Sequence, residues 1–219
     1  MTLSSTLLII HITAGAIALL SGLGASIVKQ MSWKHHWHQR FGRCFFYGMS
    51  GIFLTAVPLS LITENIFLLL ISLFTFYFAY TGWRYAINRT GKPKPQDWIA
   101  VVIMLVICIA MLFYGLMIYL LEQDGNGITL AAFGIIGGAN ALRNGHNFQA
   151  GHFQGKNRIA LHATMMLAGT IATITAFVVT NFTSNPVYIL WLAPTVLITP
   201  YIVYWNIKIR KKQSSKEAL

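Results

Sequence analysis

Seven histidines carry most of the chemistry available to this sequence, at positions 11, 35, 36, 38, 146, 152 and 162. Neutral imidazole is a good ligand for zinc, copper and haem iron, and it changes charge near neutral pH. Three of the seven stand in "KHHWHQRFGR", where His35 and His38 share a face if the segment is helical. His146 and His152 lie in "GHNFQAGHFQGKNR", just ahead of His162. The chain lacks the HExxH or CxxC spacing of a strong metal motif. It also lacks the same-helix histidine pair of two-haem membrane cytochromes. The candidate ligands for a haem are therefore His38, His162, His152 and His11, and those for a transition metal are His38, His162 and His35. His38 and His162 stand first because each sits near the start of a helix, where the scaffold fixes its position.

Cys44 could complete a metal site with His38, or act as a small apolar filler. Asp97 could orient a metal-bound water at the head of the fourth helix. Arg84, Arg143 and Arg43 are candidates for holding an anion or a lipid headgroup, against the plainer reading that they snorkel to the interface. For His35, His36 and His146 the plainer reading is a solvated interfacial imidazole beside basic neighbours. For His11 it is a hydrogen bond to a neighbouring helix, across a face made close-packed by Gly15, Ala18 and Gly22.

These residues are embedded in an unusual composition. The 219 residues are 56% hydrophobic and 10% charged, whereas soluble domains carry roughly a quarter charged residues to cover a surface facing water. The main solvent of this chain is therefore the lipid bilayer. Apolar runs of the roughly 20 residues needed to cross about 30 Å of hydrocarbon lie near 4–27, 42–63, 65–87, 98–121, 127–144, 158–181 and 186–208. The expected fold is all-α, a polytopic bundle of seven transmembrane helices over 1–208 with a basic cytoplasmic tail at 209–219. The fifth run is the weakest; it carries Asn140, together with a Gly134–Gly138 pair that favours close helix packing. Pro194 and Pro200 predict a bend in the seventh helix. The N-terminus has no basic leader region, so its apolar run reads as a retained helix.

With seven crossings, loops one, three and five share a side with the C-terminal tail, and all 16 Lys and Arg fall there. Loops two, four and six hold Glu64, Glu122 and Asp124 and no base. By the positive-inside rule the N-terminus lies outside and the C-terminus in the cytoplasm. Trp33, Trp37, Trp83, Trp98 and Trp205 map to the same basic end, as an interfacial belt. The net charge of +11 is thus a membrane signature, which argues against nucleic acid as a partner. Six histidines gather at that end. His11 enters from the other, leaving about 14 Å of depth between it and His162 at about 1.5 Å per residue, too far for one shared haem or metal. No carboxylate lies deep in a span, which argues against an Asp or Glu proton relay. Spans one to three and five to seven run in matching directions, and "GRCFFYGMSGIFLTA" loosely resembles "NRIALHATMMLAGTIATITA", so a parallel three-plus-one-plus-three repeat is an option.

His11 with Gly15 and "LLSG", His38 followed by Gly42 and Arg43, and the blocks "FYFAYTGWRY", "IATITAFVVTN" and "LWLAPT" resemble a family of uncharacterised bacterial polytopic membrane proteins, catalogued as a domain of unknown function. The resemblance spans most of the chain. It implies a bacterial inner-membrane location and marks His11 and His38 as signature positions, and it brings no reaction with it. The leading functional expectation is a redox or metal-handling protein that binds haem or a transition metal near the cytoplasmic face. The alternatives are a small-solute transporter and an accessory subunit within a larger membrane complex or homo-oligomer.

Overall fold

A computed structural model describes residues 2–31, 35–151 and 154–217, with side chains except those of residue 35 and of 210–217. These residues form seven helices: α1 (Leu3–Gln30), α2 (His35–Ile62), α3 (Ile66–Ile87), α4 (Pro95–Glu122), α5 (Asn126–Gln149), α6 (Gly155–Asn181) and α7 (Tyr188–Glu217). All but α5 are long and apolar enough to cross a membrane. The protein is therefore a multi-pass helical membrane protein.

Local sequence sets the helix ends. Thr2 and Asn65 turn their side-chain oxygens onto the backbone N–H of Ser5 and Leu68, which starts α1 and α3. Pro95 occupies the first turn of α4, where its missing N–H costs nothing. Two boundaries differ from the sequence expectation. α2 begins at His35, well before the apolar run at 42, because an amphipathic interfacial turn extends the helix without needing hydrocarbon. α7 continues to Glu217, so residues beyond 208 prolong a helix; it also runs unbroken through Pro194 and Pro200.

Packing follows residue size. α1 lies along α2 through Ala14, Ala18, Ser21 and Gly22. A Cβ placed on Gly48 would sit 2.9 Å from the Ala18 backbone nitrogen, so the two backbones meet almost without intervening side chains. α5 lies along α4 in the same way: a Cβ on Gly115 would sit 2.8 Å from the Gly127 carbonyl oxygen. Of the sequence-derived pair, Gly134 faces Leu112 and the Cys108 carbonyl, whereas a Cβ on Gly138 would meet only Cys108 Cβ at 3.8 Å, an ordinary contact. α3 and α6 form the centre, and the main core gathers Phe74, Tyr77, Phe78, Met104, Leu130 and Met165. Outward, α4 and α7 present exposed Phe113, Leu121 and Leu197, a surface suited to acyl chains.

α5 packs on α4 and its backbone does not come close to that of α6, which it meets only through side chains such as Asn144 and Met165, whereas α1 packs closely on α2. The two halves that a three-plus-one-plus-three repeat would relate thus differ in their neighbours. α7 lies along α6, meets α5 only briefly, reaches α3 through the Phe67–Trp191 ring contact and makes no close backbone approach to α1 or α2. That loose seating of the last helix shapes the interior.

Candidate functional site

At the end of the bundle that carries the basic residues, α3 closes with Arg84 and α4 opens with Asp97. Arg84 donates from Nε to Asp97 Oδ1 at 2.6 Å and from Nη2 to Oδ2 at 3.0 Å. Both side chains are buried. Asp97 Oδ2 also accepts the Lys94 backbone N–H at 2.7 Å, so one carboxylate caps α4 and neutralises a buried guanidinium. The void beside the pair measures about 10 Å³, room for one water. Arg84 is thus paired with an internal carboxylate, and Asp97 is engaged in the same pair.

Next to it lies a fully internal polar chain. Tyr85 donates its hydroxyl to Asn144 Oδ1 at 2.8 Å, and Asn144 Nδ2 donates to the Tyr77 hydroxyl at 2.7 Å. Arg158 of α6 donates to the carbonyls of Tyr85 and Ala86 at 2.7 and 3.1 Å, closing the exposed C-terminal carbonyls of α3. These contacts lock α3, α4, α5 and α6 together at one level.

The structure brings His38 and His162 together. Their ring centroids lie 6.3 Å apart with the planes nearly perpendicular. His162 Nδ1 sits 2.8 Å from the Gly82 carbonyl oxygen, and His38 Nδ1 sits 3.1 Å from that of Ala25. A carbonyl only accepts, so each Nδ1 carries the proton and each ring is oriented by a backbone group of a neighbouring helix. His152 lies outside the described residues, as does the side chain of His35. His36 and His146 are exposed. Among the described residues no three His, Cys, Asp or Glu side chains are grouped to hold a metal. Cys44 is exposed on α2, as are Arg43 on α2 and Arg143 on α5.

His11 stands apart from these. Its Nδ1 lies 3.0 Å from Thr55 Oγ1, whose own hydrogen points to the Gly51 carbonyl at 2.7 Å. His11 therefore donates, tying α1 to α2. It also borders a large, partly open cavity of about 1400 Å³ that runs along α6. The wall includes Ser60, Ser72 and Thr75 from α2 and α3, Asn140 and Arg143 from α5, and Trp191, Thr199 and Asn206 from α7.

The cavity follows from the packing just described: the backbones of α5 and α6 stand apart, and α7 approaches α5 only briefly. It is the feature that sequence reasoning missed. Its α7 side follows helical spacing, with Trp191, Thr195, Thr199 and Asn206 on one face. Hydroxyls and amides recurring on one stripe of an apolar helix were the available signal.

No family model, curated protein or solved structure matches the chain. Its own fold defines the class: a polytopic helical membrane protein with a large, partly open cavity beside its sixth helix.

Proposed function

We propose that this protein is a membrane carrier that takes a small ligand into the cavity along α6 and passes it between the two faces of the bilayer. The cavity carries the reading. A well-packed membrane bundle leaves few voids larger than a water, because empty space forfeits contacts on every side. A cleft of about 1400 Å³, open along part of its border and carrying hydroxyls and amides on a mostly apolar wall, is suited to a ligand that enters it. α7, the least buried of the apolar helices, is the wall most free to move.

The rest of the reading follows from the sequence. α5 has 24 residues, about 36 Å at 1.5 Å per residue, which suffices for a seventh crossing. Its polarity fits a helix that turns Asn140 to the cavity and Asn144 to the core. Seven crossings with every Lys and Arg on one side give an outside N-terminus and a cytoplasmic C-terminus, in the bacterial inner membrane that the family resemblance implies. The test is uptake into proteoliposomes across a panel of labelled solutes and amphiphiles, with Ala172→Trp as the variant that fills the cavity. At least one compound should enter faster with the native protein than with the filled variant. Uniformly flat uptake would sink the proposal.

A second reading is favoured by the histidine pair. An ion bound between two opposed imidazole nitrogens at about 2.0–2.1 Å holds the ring centres about 6.4 Å apart, and the His38 and His162 rings stand 6.3 Å apart. Nδ1–H bonds to carbonyls are the usual outer support of a metal-ligating histidine. A redox or metal-handling protein of this kind would show a Soret band or a stoichiometric metal, lost in His162→Gln. Neither signal in freshly extracted protein would remove this reading.

A further inference from the structure

The polar groups of the cavity are unevenly spread, and their distribution says what kind of molecule fits. Arg143 of α5, Thr164 of α6 and Asn206 of α7 border its basic end. Asn206 Nδ2 donates to Thr164 Oγ1 at 2.9 Å, and Asn144 Nδ2 reaches Met165 Sδ at 3.8 Å, so these three stretches of helix share one level. Arg143 and His11 are the basic side chains among the described wall residues, and no Asp or Glu is among them. The one ion pair among the described residues is Arg84–Asp97, which leaves Arg143 without a carboxylate.

From that level outward the wall is mostly apolar, through Phe74, Phe78, Phe133, Ile136 and Ala168. The hydroxyls among them, on Ser72, Thr75, Thr173 and Thr199, donate to carbonyls of their own helices, and Thr180 and Ser184 border the far end. Thr164 and Thr180 are 16 residues apart on α6, about 24 Å at 1.5 Å per residue. A small water-soluble anion would be stripped of water along most of that length with one cation at one end. A molecule with one charge and a long apolar body matches the wall along its whole length. At about 1.3 Å per methylene, from C–C bonds of about 1.5 Å, an 18-carbon chain extends over about 22 Å. The brief approach of α7 to α5, the absence of a close backbone approach to α1 and α2, and the open border of the cavity give such a molecule a sideways path from the bilayer.

We infer that the cavity binds a single-chain amphiphile with an anionic head, held at Arg143 beside Asn206 and Thr164, its tail lying along α6 toward Trp191. The inference rests on the cavity being a ligand site, as proposed above, and names the class of ligand.

Trp191 supplies a reporter, because it lies 15 residues from Asn206 on α7, about 22 Å along the helix. The experiment titrates full-length protein, in nanodiscs of zwitterionic lipid, with stearate brominated either near the carboxyl or near the chain end. Trp191 fluorescence is isolated by difference from Trp191→Phe. Saturable quenching should be stronger for the chain-end bromine. Its midpoint should rise at least tenfold in Arg143→Gln, whose exposed side chain leaves folding intact, checked by an unchanged melting temperature. Displacement by unlabelled stearate marks a carboxylate head and displacement by lysophosphatidate a phosphate head; either supports the inference.

Stearyl alcohol binding as tightly as stearate, or an Arg143→Gln protein that binds as the native one does, would overturn the anionic amphiphile. The carrier reading would survive those results. Uptake of a water-soluble compound, blocked by Ala172→Trp, with no saturable quenching would do the same. Absence of both quenching and uptake would bring down the carrier reading as well.

Discussion

Replacing Asp97 by leucine removes a carboxylate that performs two jobs, and the cost can be worked from its contacts. The first is the bidentate pair with Arg84, both side chains buried; deleting one partner of a buried pair costs about 3–5 kcal/mol, since the other charge stays buried and unpaired. The second is the cap on α4 through the Lys94 N–H, worth about 1 kcal/mol. Asp97→Leu should therefore destabilise by about 4–6 kcal/mol, and Arg84→Met, which leaves the cap in place, by about 3–5 kcal/mol. At about 2–4 °C per kcal/mol for a chain of this size, melting should fall by about 10 °C or more for Asp97→Leu. The assay is thermal unfolding of purified protein in one mild detergent, followed by a fluorescence probe of newly exposed cysteine. The double variant Arg84→Met/Asp97→Leu decides the argument. With both charges gone, little beyond the lost cap remains, so it should melt above either single variant. A double variant that melts as low as the sum of the singles, or single variants within about 2 °C of native, would refute the claim that this pair is buried and coupled.

Gly48→Val should open the α1–α2 contact, because even a Cβ there would lie 2.9 Å from the Ala18 nitrogen; a loss of about 1–3 kcal/mol is expected. Gly15→Ala, with nothing within 4 Å, should melt unchanged in the same assay. Asn144→Leu leaves the hydroxyls of Tyr77 and Tyr85 without their shared partner and should cost about 2–3 kcal/mol. Adding Tyr77→Phe and Tyr85→Phe should recover part of that loss. A fluorescent protein fused after Leu219 should fold and fluoresce in bacterial cells, and alkaline phosphatase fused there should stay inactive; the reverse pattern would invert the assigned orientation.

Much of the fold was legible because lipid sets a simple rule. Each helix had to be apolar for about 20 residues, and six of the seven runs reappear as apolar helices, five of them with ends within about three residues and α2 with its start some six residues earlier. The fifth read as weak for a physical reason now visible: Asn140 and Asn144 face the cavity and the core rather than lipid. His38 and His162 were paired in sequence reasoning through their shared end of the bundle, and the two rings do meet. The Arg84–Asp97 pair was within reach as well, being opposite charges at facing ends of consecutive helices. The cavity was not, because it depends on which helix backbones come close to one another. Periodicity reveals the face a helix buries and says nothing of the neighbour on the other side. Thr164, Thr199 and Asn206 each read as an ordinary polar residue in an apolar helix until the wide spacing of the α5 and α6 backbones is seen.

The close backbone seams between α1 and α2 and between α4 and α5 join helices adjacent in the chain, so each pair can form while synthesis is still in progress, with little loop entropy to overcome. The α3–α6 contact spans a much longer stretch and must wait until both pairs have been made. α7 comes last, onto a bundle that already holds its two tight pairs. Until it arrives, the groove along α6 faces the bilayer directly, and the newly made protein meets membrane amphiphiles before it has a finished interior in which to enclose them.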